Sequence, residues 1–216
     1  MAIVLWTCAK RLDVGNGNKF ELCSMLNEAI RSHDGTTLEC CVRLVAMLQN
    51  FLTAKRRGKP ITLPEGPYAE SGKRKGEEGW STTKGIVYRG GGLPDTHVSF
   101  FEKMKATGHP YRVPHLLATS FDESVTLGFM RKTRGSKVLW TIKIPPRGCM
   151  HANYIDSQSA CSGEQEYLFC AFSAFRVLEV KRSADATKVS TPHEITLEAV
   201  SDNKDISDGV PSAPWC

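Results

Sequence analysis

An α+β fold, a helical front packed on a β-rich body, follows from how the apolar residues are spaced. Between Lys19 and Ala54 they recur at helical intervals. Phe20, Leu22, Cys23, Leu26 and Ile30 share one face, and Leu38, Val42, Val45, Leu48 and Leu52 share another. Beyond Trp80 the chain turns to short apolar runs divided by Gly and Pro, the pattern of strands. Between these regions, Lys55 to Trp80 follows neither period.

The elements follow in chain order. Ala2 to Trp6 is apolar but short, with Lys10 and Arg11 close behind, so it is neither a membrane span nor the core of a secretory signal. A cytoplasmic protein is expected, or a delivered or secreted one if a leader was removed. His33-Asp34-Gly35 divides the helical region in two. Ile86 to Tyr88, Val138 to Ile144, Glu166 to Phe172, Phe175 to Lys181 and Ile195 to Ala199 read as strands, and Phe100 to Ala106 and Asp122 to Arg131 as short helices. The tail from Asp202 is polar, with Pro211 and Pro214, and Trp215 is placed to pin its end. One folding unit over 1–216 is expected: a helical front (1–56), a basic loop (57–80), a body (81–201) and a tail (202–216).

The 216 residues, 41% hydrophobic and 24% charged, suffice for one substantial core. The eight cysteines lack CxxC spacing, and Cys40-Cys41 with Cys149-Met150-His151 make a poor zinc set. Most are expected to be reduced core residues, and no metal is expected. His115 and His151 are expected to be structural. The net charge of +5 is concentrated where Lys55, Arg56, Arg57 and Lys59 open the loop and Lys73, Arg74 and Lys75 close it. That loop is a solvated connector, or else a surface for phosphates, an acidic protein or a membrane. It lacks the interleaved aromatics of a single-stranded nucleic-acid platform, so nucleic acid is not an expected partner. No phosphate-binding loop or dinucleotide-binding glycine signature is present.

Gly163-Glu164-Gln165-Glu166-Tyr167-Leu168-Phe169 carries the strongest chemical signal. Two acids sit two apart at the mouth of an apolar run. On a strand they project from the same side, about 7 Å apart. Two carboxylates against an apolar wall repel each other and resist desolvation, an arrangement suited to stabilising a cation or moving a proton. The alternative is a strand that begins in solvent, with both acids in water.

Three motifs stand in order. Tyr88-Arg89-Gly90 ends a strand, Ala118-Thr119-Ser120-Phe121 precedes a helix, and Glu164-Gln165-Glu166 begins a later strand. This order resembles the arginine-specific mono-ADP-ribosyltransferases of the R-S-E class, which include cholera-toxin-like bacterial toxins and vertebrate cell-surface enzymes. The resemblance covers nearly the whole chain. It implies N-terminal helices packed on a split mixed or antiparallel β-sandwich, NAD as co-substrate, no metal, and an arginine-bearing target protein approached by a monomer. The reaction it implies is transfer of ADP-ribose to arginine with release of nicotinamide, and hydrolysis of NAD on the side.

By that resemblance Glu166 is the catalytic glutamate, bonded to the nicotinamide ribose while its charge faces the developing cation. The problem is kin to glycoside cleavage. One preorganised contact of this sort is worth about 3–4 kcal/mol. Glu164 meets the acceptor, because a carboxylate can pair with a guanidinium and accept its proton where a glutamine cannot. Arg89 anchors a phosphate or ribose of NAD, Gly90 approaches the nicotinamide carboxamide, and Ser120 shapes the ribose pocket.

Ser120-Phe121-Asp122-Glu123 also reads as a capping box, with Ser120 as N-cap and Glu123 at N3. Ala118 replaces the first serine of the family motif, leaving Thr119 or water to supply the missing hydroxyl. Phe129 is placed either to stack on nicotinamide or to pack in the core. Arg131 and Arg134 fall where a loop would touch the pyrophosphate. Ser157 to Gly163 corresponds to the substrate-recognition loop, and Tyr154 at its entrance either docks the acceptor or anchors the fold. Two competing readings are an enzyme that chiefly hydrolyses NAD, and a non-catalytic scaffold that binds a partner through the basic loop.

Overall fold

The structure, a computed structural model, describes residues 2–8, 10–13, 19–53, 85–146, 148–155, 159–161 and 163–214. The basic loop, Trp215 and part of the Ser157–Gly163 segment lie outside the described residues. Three helices make the front: α1 (Ala2–Thr7), α2 (Leu22–Ser32) and α3 (Gly35–Thr53). The break between α2 and α3 falls at the expected place. His33 adopts φ 55°, left-handed and so ending α2, and Asp34 Oδ1 accepts from the Thr36 and Thr37 amides to start α3. Lys19–Glu21 was expected to be helical. It forms instead strand β2, paired with β1 (Arg11–Asp13).

The body holds eight strands: β3 (Ile86–Leu93), β4 (Tyr111–Val113), β5 (Leu117–Ser120), β6 (Ser136–Lys143), β7 (Ala152–Tyr154), β8 (Glu166–Phe169), β9 (Ser173–Lys181) and β10 (His193–Ala199). Helix α4 (Asp95–Thr107) follows β3, and α5 (Glu123–Lys132) follows β5. The strand order is β4-β9-β10-β6-β3-β5-β8-β7, with β10 parallel to β6 and the remaining neighbours antiparallel. The α+β expectation is met. The split is nearly complete, because β3 and β5 meet at a single residue pair, Tyr88 with Ser120.

Two cores lie on either side of this split sheet. The larger joins α4 to the body through Phe101, Tyr111, Trp140, Phe169 and Phe175. The smaller joins the front to the body through Ile3, Trp6, Leu26, Leu48, Leu116 and Leu168. β8 is buried along its whole length and so shows no apolar alternation in sequence. It ends at Phe169, short of the expected Phe172, because Phe172 takes φ 60° and breaks the extended backbone. Helix α4 starts at Asp95, earlier than the expected Phe100, directly after Pro94. Among the described residues, no helix is long and apolar enough to cross a membrane.

Candidate active site

Where β3 and β5 part, a cavity of about 490 Å³ opens between the body and the helical front. Arg89 and Gly90 reach it from β3, Thr119 and Ser120 from β5, Phe129 from α5, and Glu164 and Glu166 from the approach to β8. Motifs separated widely in sequence thus share one wall. Arg131 is exposed and does not line the cavity, nor does Tyr154, which packs on Phe121 with ring centroids 6.0 Å apart.

Glu164 and Glu166 do not stand on one strand, as the sequence suggested. β8 begins at Glu166, and Gln165 takes φ 51°. This inverted residue swings Glu164 out of the strand line, yet both acids still face the cavity. The last residue of β5 and the one that follows it hold the turn. Ser120 Oγ donates to the Glu164 carbonyl at 2.6 Å, and the Phe121 amide donates to the Gln165 carbonyl at 3.2 Å.

The expected capping box is also corrected. Asp122 is the N-cap of α5, its Oδ1 accepting from the Ser124 amide at 2.8 Å. Ser120 remains in β5, opposite Glu166, and its Oγ accepts from the Asp122 amide at 2.9 Å. The Thr119 hydroxyl donates to the Tyr167 carbonyl at 2.5 Å, a backbone tie between β5 and β8. It is thus engaged elsewhere than at the glutamate.

Arg89 Nη1 donates to the Ala118 carbonyl at 2.8 Å, which directs the guanidinium along the split. Burial, and then the nearby Arg31 cation, pull its pKa down to about 10 against the pull of Glu166. Such a group is a resident cation poised for an anionic ligand. Gly90 has a further reason to be glycine: a Cβ there would collide with the Thr126 carbonyl of α5, so its small size lets α5 close on β3.

Phe129 is 46% exposed and faces the cavity, so core packing is not its role. Lys132 Nζ lies 5.8 Å from its ring centroid. The front contributes Trp6, Thr7, Cys8, Glu21, Cys23 and Ser24 to the opposite wall. Sequence reasoning missed these. The one signal was Ile3 and Trp6, three residues apart and both facing the core. Burial, reinforced by Glu21, raises the Cys23 pKa and favours its neutral thiol. His115 is buried behind Arg89, its pKa held down to about 2 by burial and then by Arg89 and Arg31. Only Cys149 and Cys170 of the described cysteines are fully buried, fewer than expected. Among the described residues, no three His, Cys, Asp or Glu side chains form a group able to hold a metal ion.

No family model and no curated protein sequence matches the chain. Solved structures do. The ADP-ribosyltransferase Vis, a toxin from Vibrio splendidus, in its complex with agmatine, aligns with TM-score 0.57 at 17% identity, over 88% of this chain and 72% of that one. Plx2a, an ADP-ribosyltransferase toxin from Paenibacillus larvae, aligns with TM-score 0.57 at 16% identity, over 93% and 84%. C3stau2 from S. aureus, solved with NAD, aligns with TM-score 0.52 at 18% identity, over 93% and 85%. At these identities the likeness is one of fold, and the fold is that of the ADP-ribosyltransferases.

Proposed function

We propose that this chain transfers ADP-ribose from NAD to arginine side chains of a target protein and releases nicotinamide. The observation that carries the reading is the gathering of Arg89, Ser120, Glu164 and Glu166 around one cavity at the parting of the sheet. The solved relative with bound NAD supports the co-substrate. The relative with bound agmatine, whose guanidinium is that of arginine, supports the acceptor.

The residues present fit NAD. Arg89 offers a half-buried cation for its phosphates or ribose, and Phe129 a half-exposed ring for the flat base. NAD supplies a glycosidic bond whose leaving base is already cationic. Glu166, 7% exposed, places its charge where positive charge develops at the ribose, in a setting that water screens little. Glu164, held by its carbonyl to Ser120, directs its carboxylate to an incoming guanidinium and takes a proton from it during attack. Arg131 and Tyr154, outside the cavity wall, are not assigned to this chemistry.

Incubation with labelled NAD and agmatine tests the reading, followed by a protein extract and mass-spectrometric site mapping. Nicotinamide release together with label on agmatine and on protein arginines is expected. Hydrolysis of NAD with no arginine ever labelled would overturn the transferase reading in favour of a hydrolase. Absence of both binding and turnover would overturn catalysis altogether.

A further inference from the structure

Strand alternation puts Glu166 on the same face of β8 as Leu168, and Leu168 belongs to the smaller core. The carboxylate is therefore directed toward the helical front. There Trp6 Nε1 donates to Glu166 Oε1 at 3.2 Å, a buried hydrogen bond between residues 160 apart in the chain. An indole N–H is a donor only. It can fix a carboxylate oxygen without competing for a proton.

The pairing of β5 with β8 gives this donor its significance. Ala118 stands opposite Leu168 and Ser120 opposite Glu166, so Ala118 is the diagonal neighbour of Glu166 on the same face. A methyl group there offers no hydrogen bond. Ser120 commits its hydroxyl to the Glu164 carbonyl and the Asp122 amide, and Thr119 commits its own to the Tyr167 carbonyl.

Trp6 is well placed to hold direction. It is 3% exposed, in a cluster with Ile3, Leu26 and Ile30. The next residue extends the brace. Thr7 Oγ1 donates to the Ile3 carbonyl at 2.9 Å and accepts from the Ala160 amide at 2.7 Å. The Thr7 carbonyl accepts from Cys161 Sγ at 3.4 Å. One end of α1 thus grips both the glutamate and the segment that leads to the acid pair.

We infer that Trp6 is a positioning residue for Glu166, supplying from the helical front the donor that position 118 lacks. The inference deepens the transferase reading and rests on it. Trp6→Phe removes the N–H while leaving an aromatic ring in the core. Its kcat for nicotinamide release is expected to fall about tenfold, the equivalent of one hydrogen bond to a charged group. KM is expected to stay within about twofold, because orientation and not uniform binding is lost. Ala118→Ser added to Trp6→Phe is expected to recover most of the lost rate, which a mere packing role would not allow.

A second measurement needs no turnover. In ¹H–¹⁵N spectra, the indole signal absent from Trp6→Phe is expected to be the one that moves in Glu166→Gln. An unresponsive indole overturns the contact. Wild-type kcat in Trp6→Phe, or a loss that Ala118→Ser does not mend, overturns the positioning role while leaving the transferase reading intact. A wild-type protein that releases no nicotinamide, its indole responding as expected, overturns the transferase reading and the positioning role with it.

Discussion

The Ser120 hydroxyl bridges two backbones: it donates to the Glu164 carbonyl at 2.6 Å and accepts from the Asp122 amide at 2.9 Å. One side chain thus links the end of β5, the start of α5 and the turn that aims Glu164. Ser120→Ala frees that turn and leaves both backbone groups short of a partner. A stability loss of about 1–3 kcal/mol is expected, measured by urea unfolding. Arginine transfer is expected to fall more than NAD hydrolysis, because the loosened residue is Glu164, while Glu166 is held separately by β8 and Trp6. Equal losses in both activities would contradict this coupling.

The two glutamates are expected to separate the two activities. Glu164→Gln keeps size and loses the proton acceptor, so transfer to agmatine should fall about 100-fold or more while NAD hydrolysis survives. Glu166→Gln removes the charge that faces the ribose, so both should fall by that order. Parallel assays of nicotinamide release and agmatine labelling decide it. A Glu164→Gln enzyme that still labels agmatine at the wild-type rate would remove Glu164 from acceptor chemistry.

Phe129 spends its aromatic face on the cavity and not on the core, being 46% exposed. Phe129→Ala is therefore expected to change stability by less than about 0.5 kcal/mol, as surface substitutions do. A lost contact between a ring and a cationic base at an exposed site is worth about 0.5–1 kcal/mol, so KM for NAD should rise about two- to fivefold. Thermal unfolding and initial-rate kinetics check the two halves. An unchanged KM would leave the ring without a part in binding.

Much of this site was legible in the sequence because its chemistry needs rare residue types in order: an arginine before glycines, a serine before a helix, two acids before an apolar run. What was not legible depends on backbone angles and long-range pairing. Gln165 takes a left-handed φ with no glycine to announce it, so the acid pair read as plain strand. Ser120-Phe121-Asp122 offers two capping residues in competing registers. Pairing of Ser120 with Glu166 across β5 and β8 decides for Asp122, which local sequence cannot reveal. Trp6 was hidden differently. The apolar run around it is too short to read as a helix alone, and α1 gains its place by packing Ile3 and Trp6 against α2, α3 and β8.

His115 makes stability depend on pH in a window set by its two pKa values. In the unfolded chain it titrates near 6.5; in the fold, burial first and then the Arg89 and Arg31 cations hold it down to about 2. Between those values the unfolded state binds the proton and the folded state does not. Stability therefore rises with pH across the window and is lost as pH falls below 6.5. His151, also depressed by burial, acts with the same sign. The carboxylates whose pKa values are lowered, such as Asp95 and Glu102, begin from 3.8 and 4.5 and so act mainly below the upper part of this window. Urea unfolding from pH 7 to pH 5 is expected to show a slope approaching about 1.4 kcal/mol per pH unit from His115, with a contribution of the same sign from His151. His115→Asn should flatten that slope relative to wild type, leaving the share due to His151. Superimposable slopes for the two proteins would mean that His115 takes up its proton in the fold as readily as in water, and that the cations beside it do not oppose it.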